Sequence, residues 1–312
     1  MKKYIVYEQR NNSGFGNQLR SIAGWYLVSI VLDRQFIIKS DLFNYAFISS
    51  SGDSEFDYSD MSYRWISPLE KSTDLVNFTE DVLLVDRGQP MIADVRGHPQ
   101  LGPLTAKYIN KHNLSNDNGG LAKYIFKELI QDTSPRFKNI VDSRGNVECI
   151  DYSKDEFPRK CNISIDYKTP CHYVIQFRTG WDNMYGFMYH IDTFIENFTL
   201  FIRDIQADDD QVFCIMSDSN GIAHYLCYRF QRKFPHLTFL INALPQCKTC
   251  CNRGAQHSSQ PGKSGEEYYL SSISDWLLMS KSLGVYYNGQ SFVESMHHVT
   301  GTPVYSYKHY TT

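Results

Sequence analysis

The sequence has no long apolar run and no block of one charge sign. Its longest strongly apolar stretch, Ala23 to Leu32, is far shorter than the roughly 20 residues that cross a bilayer as a helix. No membrane span is expected. Met1-Lys2-Lys3 has the positive start of an export signal, but only Tyr4-Ile5-Val6-Tyr7 follows before Glu8 and Arg10, so a soluble, cytoplasmic protein is expected. Lys and Arg number 31 against 34 Asp and Glu, a net charge of −3. Without a positive face for phosphates, nucleic acid is not an expected partner. A complete metal-ligand pattern is missing too. Cys247-Lys248-Thr249-Cys250-Cys251 has C-x-x-C spacing, yet no second C-x-x-C or spaced His pair follows. The segment reads as a plain loop or a local disulfide ahead of a metal site. Cys214 and Cys227 fall within apolar patterns and read as small buried hydrophobes. Without an export signal, the N-x-S/T triplets at Asn77, Asn113, Asn162 and Asn197 read as accidental, and the compartment as reducing. No internal repeat or low-complexity segment interrupts the chain.

What is present describes a globular protein of one or two domains. Of the 312 residues, 42% are hydrophobic and 21% charged, which excludes wholesale disorder. Aromatics make up 14%, with 22 Tyr and 19 Phe. Such rings suit a cleft that stacks sugars or bases, but most of them read as packing residues with wet edges.

The first fifty residues read as β-turn-α-β. Lys3 to Tyr7 is a strand, Asn11 to Gly16 a turn, and Asn17 to Asp33 a helix with Leu19, Ile22, Ala23, Tyr26, Leu27, Ile30 and Val31 on one face. Phe36 to Lys39 is the next strand. Between residues 40 and 165 only a strand at Val82 to Asp86 and a helix at Leu121 to Gln131 stand out. From Cys171 the rhythm is regular. Strands are expected at His172 to Phe177, Gln211 to Met216, Thr238 to Ile241, Gly284 to Tyr287 and Pro303 to Tyr307. Helices are expected at Ile191 to Ile205, Asn220 to Phe234, Glu267 to Ser282 and Ser291 to Val299, and a polar loop at Ala243 to Gly265. Alternation of this kind means parallel sheets covered by helices. The expected architecture is α/β, with two Rossmann-like domains, 1–165 and 166–312, facing a cleft.

Several motifs carry chemistry. Gly14-Phe15-Gly16 begins like a dinucleotide fingerprint, but Leu19 occupies the place of its third glycine. Asp41 after the second strand keeps a nicotinamide oxidoreductase as an alternative. The turn still lets a ligand approach a positive helix N-terminus, with the side-chain amides of Asn17 and Gln18 at its mouth; the plainer alternative is a helix cap. Gly262-Lys263-Ser264 lacks the first glycine of a phosphate loop, and Asp208-Asp209-Asp210 is a solvated turn. Val174 to Phe177 delivers Arg178 to the C-terminal end of a strand, where open α/β sheets bind ligands. A guanidinium there suits a diphosphate, unless it merely pairs with Asp182. Asp275 sits in a helix apolar nearly all round, so its carboxylate needs a partner. Guanine offers N1–H and its amino group side by side; an Arg elsewhere in the fold would also serve. Asn288-Gly289-Gln290-Ser291-Phe292 joins a strand end to a helix start and offers a hydroxyl and free N–H groups to a phosphate.

Taken in order, these segments resemble the fucosyltransferases that make α1,2 and α1,6 linkages, together with the protein O-fucosyltransferases. Gly14-Phe15-Gly16-Asn17-Gln18 is similar to the family's G-x-G-N-Q opening. Gln176-Phe177-Arg178-Thr179-Gly180-Trp181-Asp182 is similar to its H-x-R-x-G-x-D element, with Gln176 in place of His as in the plant xyloglucan enzymes. Asp275 to Ser280, continued by Asn288 to Phe292, is similar to D-x-x-x-x-S…N-x-x-S-F, and Ser217-Asp218-Ser219 is a weaker match to an S/T-D element. The resemblance covers residues 3 to 40 and 171 to 307. It implies a GT-B fold and an inverting, metal-independent transfer of L-fucose from GDP-fucose to a glycan hydroxyl, with no cofactor beyond the GDP-sugar. Arg178 would hold the diphosphate, Asp275 the guanine edge, and Ser291 with Phe292 a phosphate. Gly14, Gly16, Asn17, Gln18, Gln176, Asp218 and Gln290 would complete the donor site. Asp182 is the expected catalytic base or acceptor-positioning group, with His190 a more distant choice that more naturally opens a helix. An inactive glycan- or nucleotide-sugar-binding relative is the main alternative. Residues 40 to 165 and 243 to 265, which carry no motif, are where acceptor specificity is expected.

Overall fold

The computed structural model describes residues 2–9, 15–50, 55–66, 69–71, 73–86, 90–134, 147–151, 159–163, 171–178, 184–217, 220–241, 266–289 and 291–310. The chain divides into two compact units, Met1–Lys138 with His298–Gly301, and Asn139–His297 with Thr302–Thr312.

The first unit runs β1 (Tyr4–Glu8), α1 (Phe15–Val31), β2 (Gln35–Lys39), α2 (Asp41–Ala46), β3 (Phe47–Ser49), β4 (Tyr63–Ile66), β5 (Val82–Val85), α3 (Ile92–Gly97), α4 (Leu101–His112), α5 (Asn118–Leu129) and β6 (Ile130–Thr133). Its sheet has the order β2-β1-β5-β4, and each neighbouring pair is parallel. Strands β3 and β6 form a separate antiparallel pair. The β1-α1-β2 start matches expectation, although α1 ends at Val31 rather than Asp33. Asp33 has φ of 53°, a left-handed conformation that cannot continue the helix.

Six elements of this unit were not legible beforehand: α2, β3, β4, α3, α4 and β6. Gly102 and Pro103 hide α4 in the sequence. Both fall in its first turn, where backbone N–H groups have no intrahelical partner and proline is tolerated. The helix ends at Asn113, which is left-handed at φ of 50° and so has a backbone reason to be asparagine. Helix α5 begins three residues before the expected Leu121 because the Asp117 carboxylate caps it, accepting from the Gly120 N–H at 2.7 Å.

The second unit runs β7 (Val147–Asp151), β8 (Arg159–Ile163), β9 (Tyr173–Phe177), α6 (Met184–Asp204), β10 (Val212–Ser217), α7 (Asn220–Lys233), β11 (Thr238–Ile241), α8 (Glu266–Lys281), β12 (Gly284–Tyr287), α9 (Ser291–Thr300) and β13 (Val304–Ser306). Strands β7 and β8 pair antiparallel. The main sheet has the order β11-β10-β9-β12-β13 and is parallel throughout. Every residue of β9 and β12 is buried, as in a sheet covered on both faces. The expected strands and helices are found here within a residue or two, with one correction. Helix α6 starts at Met184, well before Ile191, so His190 lies inside the helix, on its exposed side, and does not open it. The polar loop at 243 to 265 lies outside the described residues.

The phenylalanines are largely core. Phe177, Phe194, Phe198, Phe201, Phe213, Phe230, Phe239 and Tyr286 belong to one buried cluster in this unit. Phe198 meets Phe230 at 4.6 Å and Tyr286 at 5.4 Å between ring centres, tilted and edge-on contacts of the kind the ring quadrupole favours. The Tyr286 hydroxyl donates to the Phe194 carbonyl at 2.8 Å, so its polar end is satisfied inside the core. Cys214 and Cys227 are buried thiols, as their apolar surroundings predict. Asn197 is also buried, donating to the Tyr307 carbonyl at 3.0 Å. Among the described residues no helix is long and apolar enough to cross a membrane.

Close approach of backbone, not turn geometry, explains Gly24 in the middle of α1. A Cβ there would stand 1.9 Å from the Pro90 carbonyl oxygen and 2.7 Å from its carbon. Neither is the end of a flexible side chain, so the segment leading into α3 would have to move. Gly24→Ala is expected to lower stability by about 1–3 kcal/mol despite its gain in helix propensity. A fall in the urea midpoint checks this; an unchanged or higher midpoint would contradict it.

Candidate functional site

The strand order of the second unit reverses between β9 and β12. Strands β9, β10 and β11 step outward in one direction, and the chain then returns past β9 to lay down β12 and β13 on its other side. In open parallel sheets such a switch point leaves a crevice beyond the carboxyl ends of the strands. Phe177 ends β9 and pairs with Ser217 at the end of β10. Tyr287 ends β12 and pairs with Gln176. The residues that follow, Arg178 on one side and Asn288 on the other, therefore stand at the mouth of the switch point.

Two hydrogen bonds join them. The Arg178 N–H donates to Asn288 Oδ1 at 3.0 Å, and Asn288 Nδ2 donates to the Arg178 carbonyl oxygen at 2.9 Å. Gly289 follows Asn288 with φ of +94°, and α9 begins at Ser291. The turn is short, so Asn288 and the first turn of α9 stay at the same sheet edge. Phe292, half-buried in that turn, accepts at its carbonyl from Ser295 Oγ at 2.8 Å. Glu294 shares the turn and complements the positive helix end. Burial, aided by the Glu294 charge, pushes the Tyr287 phenol above its ordinary range, so it stays neutral.

Gln176 is buried at 6% exposure, and its Oε1 finds no hydrogen-bond partner among the described residues. An orphan acceptor of this kind costs about 1–3 kcal/mol. It lies two residues before Arg178, hence on the same side of the strand by the period of two. Asp275 is half-buried on α8, a helix that packs against β9. The next residue, Trp276, is buried and donates from Nε1 to Ser295 Oγ at 3.4 Å, tying α8 to α9.

The other expected residues divide. Gln176, Arg178, Ser291 and Phe292 come together at this one edge, with Asp275 on the helix leading into β12. Gly16, Asn17 and Gln18 belong to the first unit, in the first turn of α1. Gly16 is buried and Asn17 exposed. Gln18 is buried, and its Oε1 accepts from Ser40 Oγ at 3.2 Å; the same Ser40 caps α2 by accepting from the Phe43 N–H. Gly14, Asp182, Asp218 and Gln290 lie outside the described residues, as do Cys247, Cys250 and Cys251. Among the described residues no group of three His, Cys, Asp or Glu side chains is placed to hold a metal ion. The residue that sequence reasoning passed over is Asn288, read only as part of a turn. An amide at the end of a buried strand, followed by glycine, was the available signal.

No family model matches the chain, and no curated protein sequence does. Solved structures do. A mutant of Arabidopsis thaliana FUT1 in complex with GDP superposes with a TM-score of 0.58 at 10% identity, covering 97% of this chain and 70% of that one. POFUT1 in its apo form superposes with a TM-score of 0.50 at 10% identity, covering 97% of both chains. The fold is fucosyltransferase-like. That agrees with the motif order of the sequence, and the parallel α/β sheets are those the fold class called for. At 10% identity a fucosyltransferase-like fold is a statement about architecture alone.

Within this fucosyltransferase-like fold, Gly289 carries a specific demand. A Cβ at this position would meet nothing within 4 Å, so only the backbone conformation restricts it. Gly289→Ala is expected to cost about 1–2 kcal/mol, and Gly289→Asn less, because asparagine adopts positive φ more readily. Urea unfolding of the two variants checks the ranking; equal stability of both with the parent would contradict it.

Proposed function

We propose that the protein is an inverting glycosyltransferase that moves L-fucose from GDP-fucose to a hydroxyl of a glycan acceptor. The observation that carries the reading is Arg178 at the switch point of a parallel sheet, its backbone held on both sides by Asn288. A guanidinium at that edge suits a diphosphate, because its planar fork makes paired charge-assisted hydrogen bonds. The GDP present in the FUT1 structure that shares the fold supports the same assignment.

In this reading the donor lies along the edge of the second unit. Asp275 accepts from the guanine N1–H and amino group, two donors side by side that suit the two oxygens of a carboxylate. Ser291 and the N–H groups that open α9 take a phosphate, and the orphan Gln176 Oε1 takes a hydroxyl of the donor.

The chemistry is leaving-group departure. As the bond from the anomeric carbon to the β-phosphate oxygen breaks, the sugar gains oxocarbenium character and negative charge grows on the phosphate. Arg178 and the α9 N-terminus meet that charge with donors already in place, the work a metal does in other glycosyltransferases. The acceptor hydroxyl attacks the opposite face, so the configuration inverts, and its proton needs at most a weak base. Asp182 has that role, or positions the acceptor. A nicotinamide enzyme is disfavoured by Leu19, fully buried in α1 where dinucleotide packing wants a small residue.

Calorimetric titration with GDP and with UDP, without added metal, tests the donor assignment. GDP is expected to bind at least tenfold more tightly than UDP. Arg178→Ala should weaken GDP by about 10- to 100-fold, the worth of one hydrogen bond to a charged group. Asp275→Ala should erase most of the preference for GDP over UDP. Equal affinity for both nucleotides, or an Arg178→Ala protein that binds GDP as the parent does, would overturn the reading.

A further inference from the structure

We propose that Asn288 is a positioning residue that acts through Arg178, its side chain serving as the missing rung of the sheet at the point where β9 and β12 part. The inference rests on the reading of Arg178 as the diphosphate ligand. Strands β9 and β12 pair in parallel from Gly284↔Tyr173 to Tyr287↔Gln176, and the pairing stops there. Beyond it the chain leaves β9 for α6 and leaves β12 for α9. The next backbone N–H and C=O of β9, those of Arg178, would lose their ladder partners at the threshold of a buried sheet. Such groups must be paired. Water or a ligand could pair them, but either would leave the residue free to turn.

The Asn288 amide instead takes both. Its oxygen accepts from the Arg178 N–H and its nitrogen donates to the Arg178 carbonyl, at 3.0 and 2.9 Å. A side-chain amide carries one acceptor and one donor side by side, so it reproduces what a peptide unit of a neighbouring strand would offer. Two bonds on the two backbone groups of one residue leave little freedom in its φ and ψ, and so fix the origin and direction of the Cα–Cβ bond. Asn288 thereby carries the order of the sheet one residue past its end, to the residue bearing the guanidinium. The positive φ of Gly289 lets the chain turn into α9 immediately after this contact. The consequence for the reaction is preorganisation: the arginine does not have to be ordered when the diphosphate arrives or when its charge develops.

A double-mutant cycle on GDP affinity separates positioning from general support of the fold. Asn288→Ala is expected to weaken GDP by about 3- to 30-fold in the parent protein, within the range of coupling between residues in direct contact. In an Arg178→Ala background, Asn288→Ala should change GDP affinity by less than twofold, because the guanidinium it orients is already gone. The Arg178 backbone survives that substitution, so a merely structural contribution of Asn288 would persist in both backgrounds. Thermal unfolding of all four proteins confirms that each is folded at the titration temperature. Should Asn288→Ala not fold, Asn288→Ser, which can keep at most one of the two bonds, runs the same cycle. Additive losses, or no loss from the Asn288 variants beside a clear loss from Arg178→Ala, would overturn the positioning role alone. No loss from Arg178→Ala itself would overturn the diphosphate assignment, and this inference with it.

Discussion

A parallel sheet buried on both faces cannot leave backbone groups unpaired, and that constraint organises the second unit of this protein. Every residue of β9 and β12 is buried, so each N–H and C=O along them is paired in the ladder until the two strands diverge. At the point of divergence the pairing is completed by a side chain, Asn288, and the residue it completes is Arg178. The crevice of a switch point is thus lined by backbone whose geometry the sheet still governs. Ligand chemistry at this edge inherits its rigidity from hydrogen bonds that no ligand has to supply.

The aromatic cluster beneath the sheet supports the same edge. Phe177, the last residue of β9, meets Phe194 of α6 at 4.9 Å between ring centres, and Phe194 meets Tyr286 of β12 at 4.6 Å. The two strands that part at the site are therefore wedged against one helix through a chain of rings. Full burial of such large side chains contributes on the order of 2–3 kcal/mol each and leaves no room for the strand ends to slide. Aromatic richness in the composition was compatible with a sugar-stacking cleft or a packed core; in this unit it is core.

Much of the fold was legible because its signals are local. Burial on both faces turns β9, β10, β11 and β12 into short continuous apolar runs, and the intervening helices show the 3.6-residue period. Residues 40 to 165 were opaque for equally local reasons. Helix α4 carries Gly102 and Pro103 in its first turn, β4 is a four-residue strand with two exposed positions, and β3 pairs with β6 from far along the chain. Of the candidate site, the charged members announced themselves. Arg178 follows an apolar strand and Asp275 interrupts an apolar helix, both departures from pattern. Gln18 also departs from pattern, and the structure gives it a partner in Ser40 within its own unit. Asn288 did not stand out because asparagine before glycine is ordinary turn chemistry; only the register of β9 against β12 shows which backbone it faces.

The central claim is that the diphosphate sits where β9 and β12 part, and backbone hydrogen exchange with and without saturating GDP addresses it most directly. With the diphosphate at that edge, GDP slows exchange in the segment from Gln176 to Arg178 and in the segment from Tyr287 through the first turn of α9, including Asn288 and Phe292. Slowing confined to the first unit, with these two segments unchanged, would contradict it.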